Sequence, residues 1–188
     1  MAKAASSSSS PQPQPFTEGI VEVFTGNGRG KTSAALGVVL RALGQGLRVH
    51  IVRFMKGGYA YGENNILAQL PNVTVVSFGR LGFVTPGNVE EEDREQARQG
   101  LGSAREAMLS GKYDLVVLDE VNVASAWNLI PVDDVVDLVR ERPRGVELIL
   151  TGRHADARLI ELAELVTDMV EIKHPYRRGV AARRGIDY

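Results

Sequence analysis

Thr25-Gly26-Asn27-Gly28-Arg29-Gly30-Lys31-Thr32-Ser33 is the stretch that decides the fold. Before it stands Ile20-Val21-Glu22-Val23-Phe24, an apolar run that reads as a strand. After it, Lys31 to Leu43 is rich in Ala and Leu and stops at Gly44, which reads as a helix. A glycine-rich turn between a strand and a helix is the context a phosphate-binding P-loop requires. Glycines let the backbone curl so that successive N–H groups point at phosphate oxygens, and the helix N-terminus adds partial positive charge. Lys31 supplies a mobile cation, and the Thr32 hydroxyl is placed to ligate Mg²⁺ (or Mn²⁺). The nucleotide-binding residues are therefore expected to be Thr25, Gly26, Asn27, Gly28, Arg29, Gly30, Lys31, Thr32 and Ser33, and the nucleotide to be ATP. The generic pattern has glycine where this chain has Thr25.

Working outward, short apolar runs alternate with amphipathic stretches. Arg48–Phe54, Val73–Phe78, Leu115–Leu118, Val146–Leu150 and Met169–Ile172 read as strands. Glu90–Leu109, Pro131–Arg140 and Ala155–Leu165 read as helices. This alternation predicts an α/β fold, a mainly parallel sheet flanked by helices. Ligands of such sheets bind at the carboxyl ends of the strands. Two further candidates fall at those ends. Asp119-Glu120 follows the buried run Leu115–Leu118, where a carboxylate beside a P-loop holds the metal. Thr151-Gly152-Arg153 follows the next buried strand, and its arginine is placed to reach the same phosphates. Either signal alone describes an ordinary strand end meeting solvent.

The rest of the composition narrows the class. With 188 residues, 44% apolar and 24% charged, the chain suits one sizeable domain. Met1–Pro15 is low-complexity, with a serine run and alternating Pro and Gln, so residues 1–16 are expected to be a disordered tail and 17–188 the domain. A net charge of −1 offers no global attraction for nucleic acid. No apolar run spans a membrane, and the N-terminus lacks a signal-peptide pattern, so a soluble cytoplasmic protein is expected. The absence of cysteine rules out thiolate sites and cysteine nucleophiles.

Taken together, these motifs resemble the P-loop corrinoid adenosyltransferases, over nearly all of Gly19–Tyr188. The marks are the loop Thr25–Thr32, with its Thr25, then Leu118-Asp119-Glu120 and Thr151-Gly152-Arg153. Lys173-His174-Pro175-Tyr176, Gly179 and the ending Ala182-Arg183-Arg184-Gly185-Ile186-Asp187-Tyr188 complete them. The resemblance implies a RecA-like fold, often a homodimer, and transfer of the 5′-deoxyadenosyl group of ATP to the Co(I) of a reduced corrinoid, cobalamin or a precursor. Inorganic triphosphate would be released, and a separate electron donor would reduce Co(II). Co(I) is itself a strong nucleophile, so the protein needs no base; what remains is positioning and stabilising the leaving group. Lys31, Glu120 and Arg153 would carry that work, with Arg29 helping, and Thr32 and Glu120, with Asp119, would hold the metal. The family often reads Gly-Phe-Thr-Trp where this chain has Gly82-Phe83-Val84-Thr85. Phe83 is kept, and reads equally as a corrinoid-facing candidate or as a hydrophobic anchor of its loop, and Thr85 stands where the family has Trp. The chain's one tryptophan, Trp127, reads as a packing residue.

Three other readings compete. Another P-loop ATPase or small-molecule kinase would release ADP and need a base near an acceptor hydroxyl. A RecA-like nucleic-acid binder would need a basic stripe with stacking aromatics, and aromatics are only 6% here, so it ranks last. A protein binding ATP and corrinoid without efficient turnover is kept open by Thr85. The basic tail of Lys173, Arg177, Arg178, Arg183 and Arg184 reads equally as a solvated face or as a binding surface.

Overall fold

The computed structural model describes residues 17–58, 61–82 and 84–187. The tail at residues 1–16 and Phe83 lie outside them. The first strand, β1 (Val21–Thr25), leads through the glycine loop into α1 (Lys31–Gly44). Next come β2 (Val49–Arg53), the short α2 (Gly62–Leu67) and β3 (Val73–Ser77). The long α3 (Glu91–Leu109) leads to β4 (Leu115–Asp119), α4 (Val121–Ala126), α5 (Val132–Arg140) and β5 (Glu147–Thr151). Then α6 (Ala157–Leu162), β6 (Leu165–Asp168) and a 3₁₀ turn at Pro175–Arg178 close the chain. Every pairing in the six-stranded sheet is parallel, and the strand order is β3-β2-β4-β5-β1-β6. This is the expected α/β class.

Alternation along the buried strands sorts the helices into two layers. Leu115 and Val117 of β4 meet the apolar side of α1, Ala35, Val39 and Ala42. Val116 and Leu118 turn the other way, to Ala104 and Met108 of α3 and to α4 and α5. Chain direction explains the sorting. From β1 through α1 and α2 the chain moves toward the β3 edge, and through α3 to α6 it returns. Right-handed crossovers put those two journeys on opposite faces. The central strands are apolar on both faces, as parallel strands under helices must be. Each aliphatic side chain fully withdrawn from water contributes about 1.5–3 kcal/mol, which anchors the strand ends that hold irregular backbone.

Helix ends follow their chemistry. A capping box joins Glu90 and Asp93 at the start of α3. Asp133 and Asp134 stand in the first turn of α5 and Arg140 in its last, each favourable to the helix dipole. Pro131, expected in that first turn, is instead the residue before it.

The C-terminal third departs from expectation. The strand expected at Met169–Ile172 forms earlier, at Leu165–Asp168, and the helix expected to run to Leu165 stops at Leu162. The cause is register: Val23 pairs with Val166 and Thr25 with Asp168, so the ladder with β1 ends as β1 does. As an edge strand, β6 is exposed along its whole length, so it carries no long apolar run to mark it. The helices α2 and α4 were not expected; each is only six residues long, too short to show a helical period.

Candidate active site

The carboxyl ends of β1, β2, β4 and β5 meet in one cleft of about 930 Å³. Its first wall is the glycine loop. No side chain caps α1, whose N-cap is Gly30 at φ 119°, so the first-turn amides face the cleft without a side-chain acceptor. At Gly26 and Gly28 the loop is packed too tightly for a side chain: a Cβ on Gly26 would lie 2.1 Å from Asp168 Oδ1, where φ is 93°, and one on Gly28 2.5 Å from Met169 O. Gly28 N donates to Met169 O at 2.5 Å. Lys31 is buried, and its Nζ donates to Gly26 O at 2.7 Å and Gly28 O at 2.6 Å. Burial lowers its pKa, and Arg153 pushes the same way, while Glu120 and Asp168 oppose.

The second wall is built around Asp119 at the end of β4. Its carboxylate is almost wholly buried and fully engaged. Oδ1 accepts from the Thr32 and Thr151 hydroxyls, both at 2.8 Å, and Oδ2 meets Lys56 Nζ at 2.5 Å. Burial pushes its pKa up, but Lys56 and the two hydroxyls outweigh that and hold it below the ordinary value. Glu120 follows with φ 68°, a left-handed backbone uncommon for glutamate. That turn directs it to the cleft while Asp119 points inward. Its N–H is held by Thr151 Oγ1 at 3.0 Å. Burial, and then the neighbouring Asp119, raise its pKa.

The structure thus brings Lys31, Thr32, Asp119, Glu120 and Arg153 to one place. Asn27, Gly28, Arg29, Gly30 and Ser33 also line the cleft. Thr25 turns away, its Oγ1 accepting from Ala155 N at 3.3 Å, which tethers the Arg153 loop to the P-loop. Arg153 is exposed at the cleft and makes no hydrogen bond or ion pair among the described residues, leaving its guanidinium available to a ligand. Arg29 is already held by the chain's own end, with Asp187 Oδ1 at 2.9 Å and the carbonyl of Ile186 as partners. Of the expected corrinoid loop, Val84 reaches the cleft and Thr85 is tied into a turn by Asn88 Oδ1, 2.6 Å from its amide. His174 accepts from Tyr176 N at 3.2 Å and also borders the cleft.

Sequence reasoning missed the residues that only folding brings here. Lys56 and Tyr61 come from the turn after β2, and Lys56 Nζ lies 5.0 Å from the Tyr61 ring centre. Trp127 does pack on the core, as expected, but it also lines the cleft beside Val123. None of these had a motif. The one available signal was that Lys56 follows a strand end, as Asp119 and Arg153 do.

The donors that could hold a metal are all oxygens, the Thr32 hydroxyl and the Glu120 carboxylate, with the engaged Asp119 carboxylate behind Thr32. Hard oxygen donors suit Mg²⁺, which is bound by one or two carboxylates plus substrate phosphates. Among the described residues no group of three or more His, Cys, Asp or Glu could hold a metal ion.

A parallel α/β sheet with this loop and these carboxylates defines a P-loop nucleotide-binding protein. Residues 17–188 match the family described as ATP:corrinoid adenosyltransferase BtuR/CobO/CobP. The chain is 37% identical to the corrinoid adenosyltransferase of Escherichia coli K12, over 90% of this chain and 86% of that one. It is 35% identical to that of Salmonella typhimurium, with the same coverage, and 33% identical to that of Pseudomonas aeruginosa, covering 90% and 84%. The chain belongs to the ATP:corrinoid adenosyltransferase family.

Proposed function

We propose that this protein moves the 5′-deoxyadenosyl group of ATP to the Co(I) centre of a corrinoid, cobalamin or a precursor, and releases inorganic triphosphate. Cobalt supplies the electron pair of the new Co–C bond, the C5′–O bond breaks, and the pair it held leaves with the triphosphate. Cobalt ends formally as Co(III). The observation that carries this reading is the convergence of Lys31, Thr32, Glu120 and Arg153 on one cleft, with no nucleophile or base needed. The loop amides, Lys31 and Arg153 neutralise the departing phosphates. Arg29 joins them once it leaves Asp187. Thr32 and Glu120, with Asp119 behind Thr32, hold Mg²⁺ or Mn²⁺, which supplies further charge neutralisation. Phe83 is proposed to face the corrinoid, supported by its neighbour Val84 on the cleft wall.

The finer biology is part of the same proposal. Co(II) is reduced by a separate electron donor. The protein works in the cytoplasm; no helix among the described residues is long and apolar enough to cross a membrane. It acts as a homodimer, a reading supported by the exposed edge strand β6 and by the exposed Val170 and Ile172 that follow it. The test is a product assay with ATP, Mg²⁺ and chemically reduced cob(I)alamin in the dark. Adenosylcobalamin with equimolar triphosphate is the expected outcome. ADP and phosphate without adenosylated corrin would move the protein to the ATPase or kinase class.

A further inference from the structure

We propose that Lys56 is a resident counter-cation for Asp119, and that it makes binding of the divalent metal depend on the nucleotide. The inference rests on the metal site proposed above.

Asp119 has no free oxygen facing the cleft. Oδ1 is taken by the Thr32 and Thr151 hydroxyls and Oδ2 by Lys56, all within 2.8 Å. Lys56 is itself nearly enclosed, with 11% of its side chain exposed. Its ammonium meets that carboxylate and the Tyr61 ring. A buried carboxylate without a cation is strongly unfavourable, so before ligand arrives something must neutralise Asp119. Lys56 does so from the turn after β2, a strand that lies in register beside β4, with Arg53 opposite Asp119.

The consequence concerns the metal. Mg²⁺ sheds water reluctantly and needs several oxygens. With Asp119 neutralised and Thr32 hydrogen-bonded to it, a bare ion meets Glu120, while the other two carboxylates lining the cleft, Glu63 and Asp187, are paired with Arg53 and Arg29. Triphosphate oxygens supply the missing ligands, so metal enters with ATP and not before. Without Lys56, the charge on Asp119 is uncompensated and a divalent ion becomes its natural partner.

The test uses the whole protein and Mn²⁺ as the probe, titrated by electron paramagnetic resonance with and without ATP. Without nucleotide, the wild type should bind Mn²⁺ weakly. Lys56→Met and Lys56→Gln should bind it at least about tenfold more tightly, and Mn²⁺ alone should raise their Tm but not that of the wild type. Lys56→Arg, which keeps the charge, should behave as wild type. Lys56→Gln retains an N–H donor for Oδ2, so it serves if Lys56→Met does not fold. The inference is overturned if nucleotide-free wild type binds Mn²⁺ as tightly as the uncharged variants do. If wild type with ATP takes up no Mn²⁺, the metal assignment itself falls.

Discussion

The two sides of the cleft are made of different material. The phosphate side is backbone: loop amides, two carbonyls holding Lys31, and glycines pressed against Asp168 and Met169. The facing side is side chains, with Lys56 and Tyr61 from the turn after β2, Val84 from a loop and Trp127 from the end of α4. A backbone site admits little variation, because every group that binds is also one that folds. A side-chain wall can change residue by residue while the sheet stays the same. On the proposed function, recognition of triphosphate would sit on the first side, and discrimination of the second substrate on the other.

The sharpest test removes the cation of the backbone side. Lys31→Ala should weaken ATP binding by about a hundredfold or more, measured by calorimetry, since a buried charge-assisted contact is lost. Unchanged affinity would show that this side does not bind phosphate. Gly26→Ala should act on folding as well as on binding. Its Cβ would meet Asp168 Oδ1 at 2.1 Å with φ at 93°, and a loss of about 1–3 kcal/mol in urea unfolding is expected.

On the facing side, Trp127→Ala should raise the KM for corrinoid by about tenfold and leave the Kd for ATP alone, with Trp127→Phe recovering most of the loss. An equal effect on both substrates would dissolve the distinction between the two sides. Smaller still is the control at the far, amino-terminal end of β5. There burial, and then the neighbouring carboxyl of Glu22, push the pKa of Glu147 up to about 7, against a bond from Ile20 N that lowers it. Its folded pKa exceeds the ordinary 4.5, so its stabilising contribution is complete below about pH 4.5 and is lost as pH rises through about 7. Glu147→Gln should flatten that part of the profile and gain on wild type at pH 8, measured by urea midpoints, with ATP affinity unmoved. A variant that tracks wild type from pH 5 to 8 would rule out this titration.

Much was legible beforehand. The loop, β1 and α1 are contiguous in sequence, so spacing alone carried them, and Asp119, Glu120 and Arg153 were marked by their places after apolar runs. The β6 strand was misplaced because an exposed edge has no apolar run to read. Phe83 lies outside the described residues, so its reading still stands on resemblance.

What the sequence determined by itself was everything written in local periodicity: the alternating strands and helices, the glycine turn, and the class of ligand that such a turn accepts. The tertiary structure alone decided which groups share the cleft. Lys56 reaches Asp119 because β2 and β4 are neighbours in the sheet, though 63 residues separate the two in the chain. Arg29 is held by Asp187 because the C-terminal residues return over the glycine loop. Trp127 lines the cleft because α4 follows Glu120 closely and its end faces the same space. Such meetings depend on strand order and on the route of the chain, and no short stretch of residues encodes either.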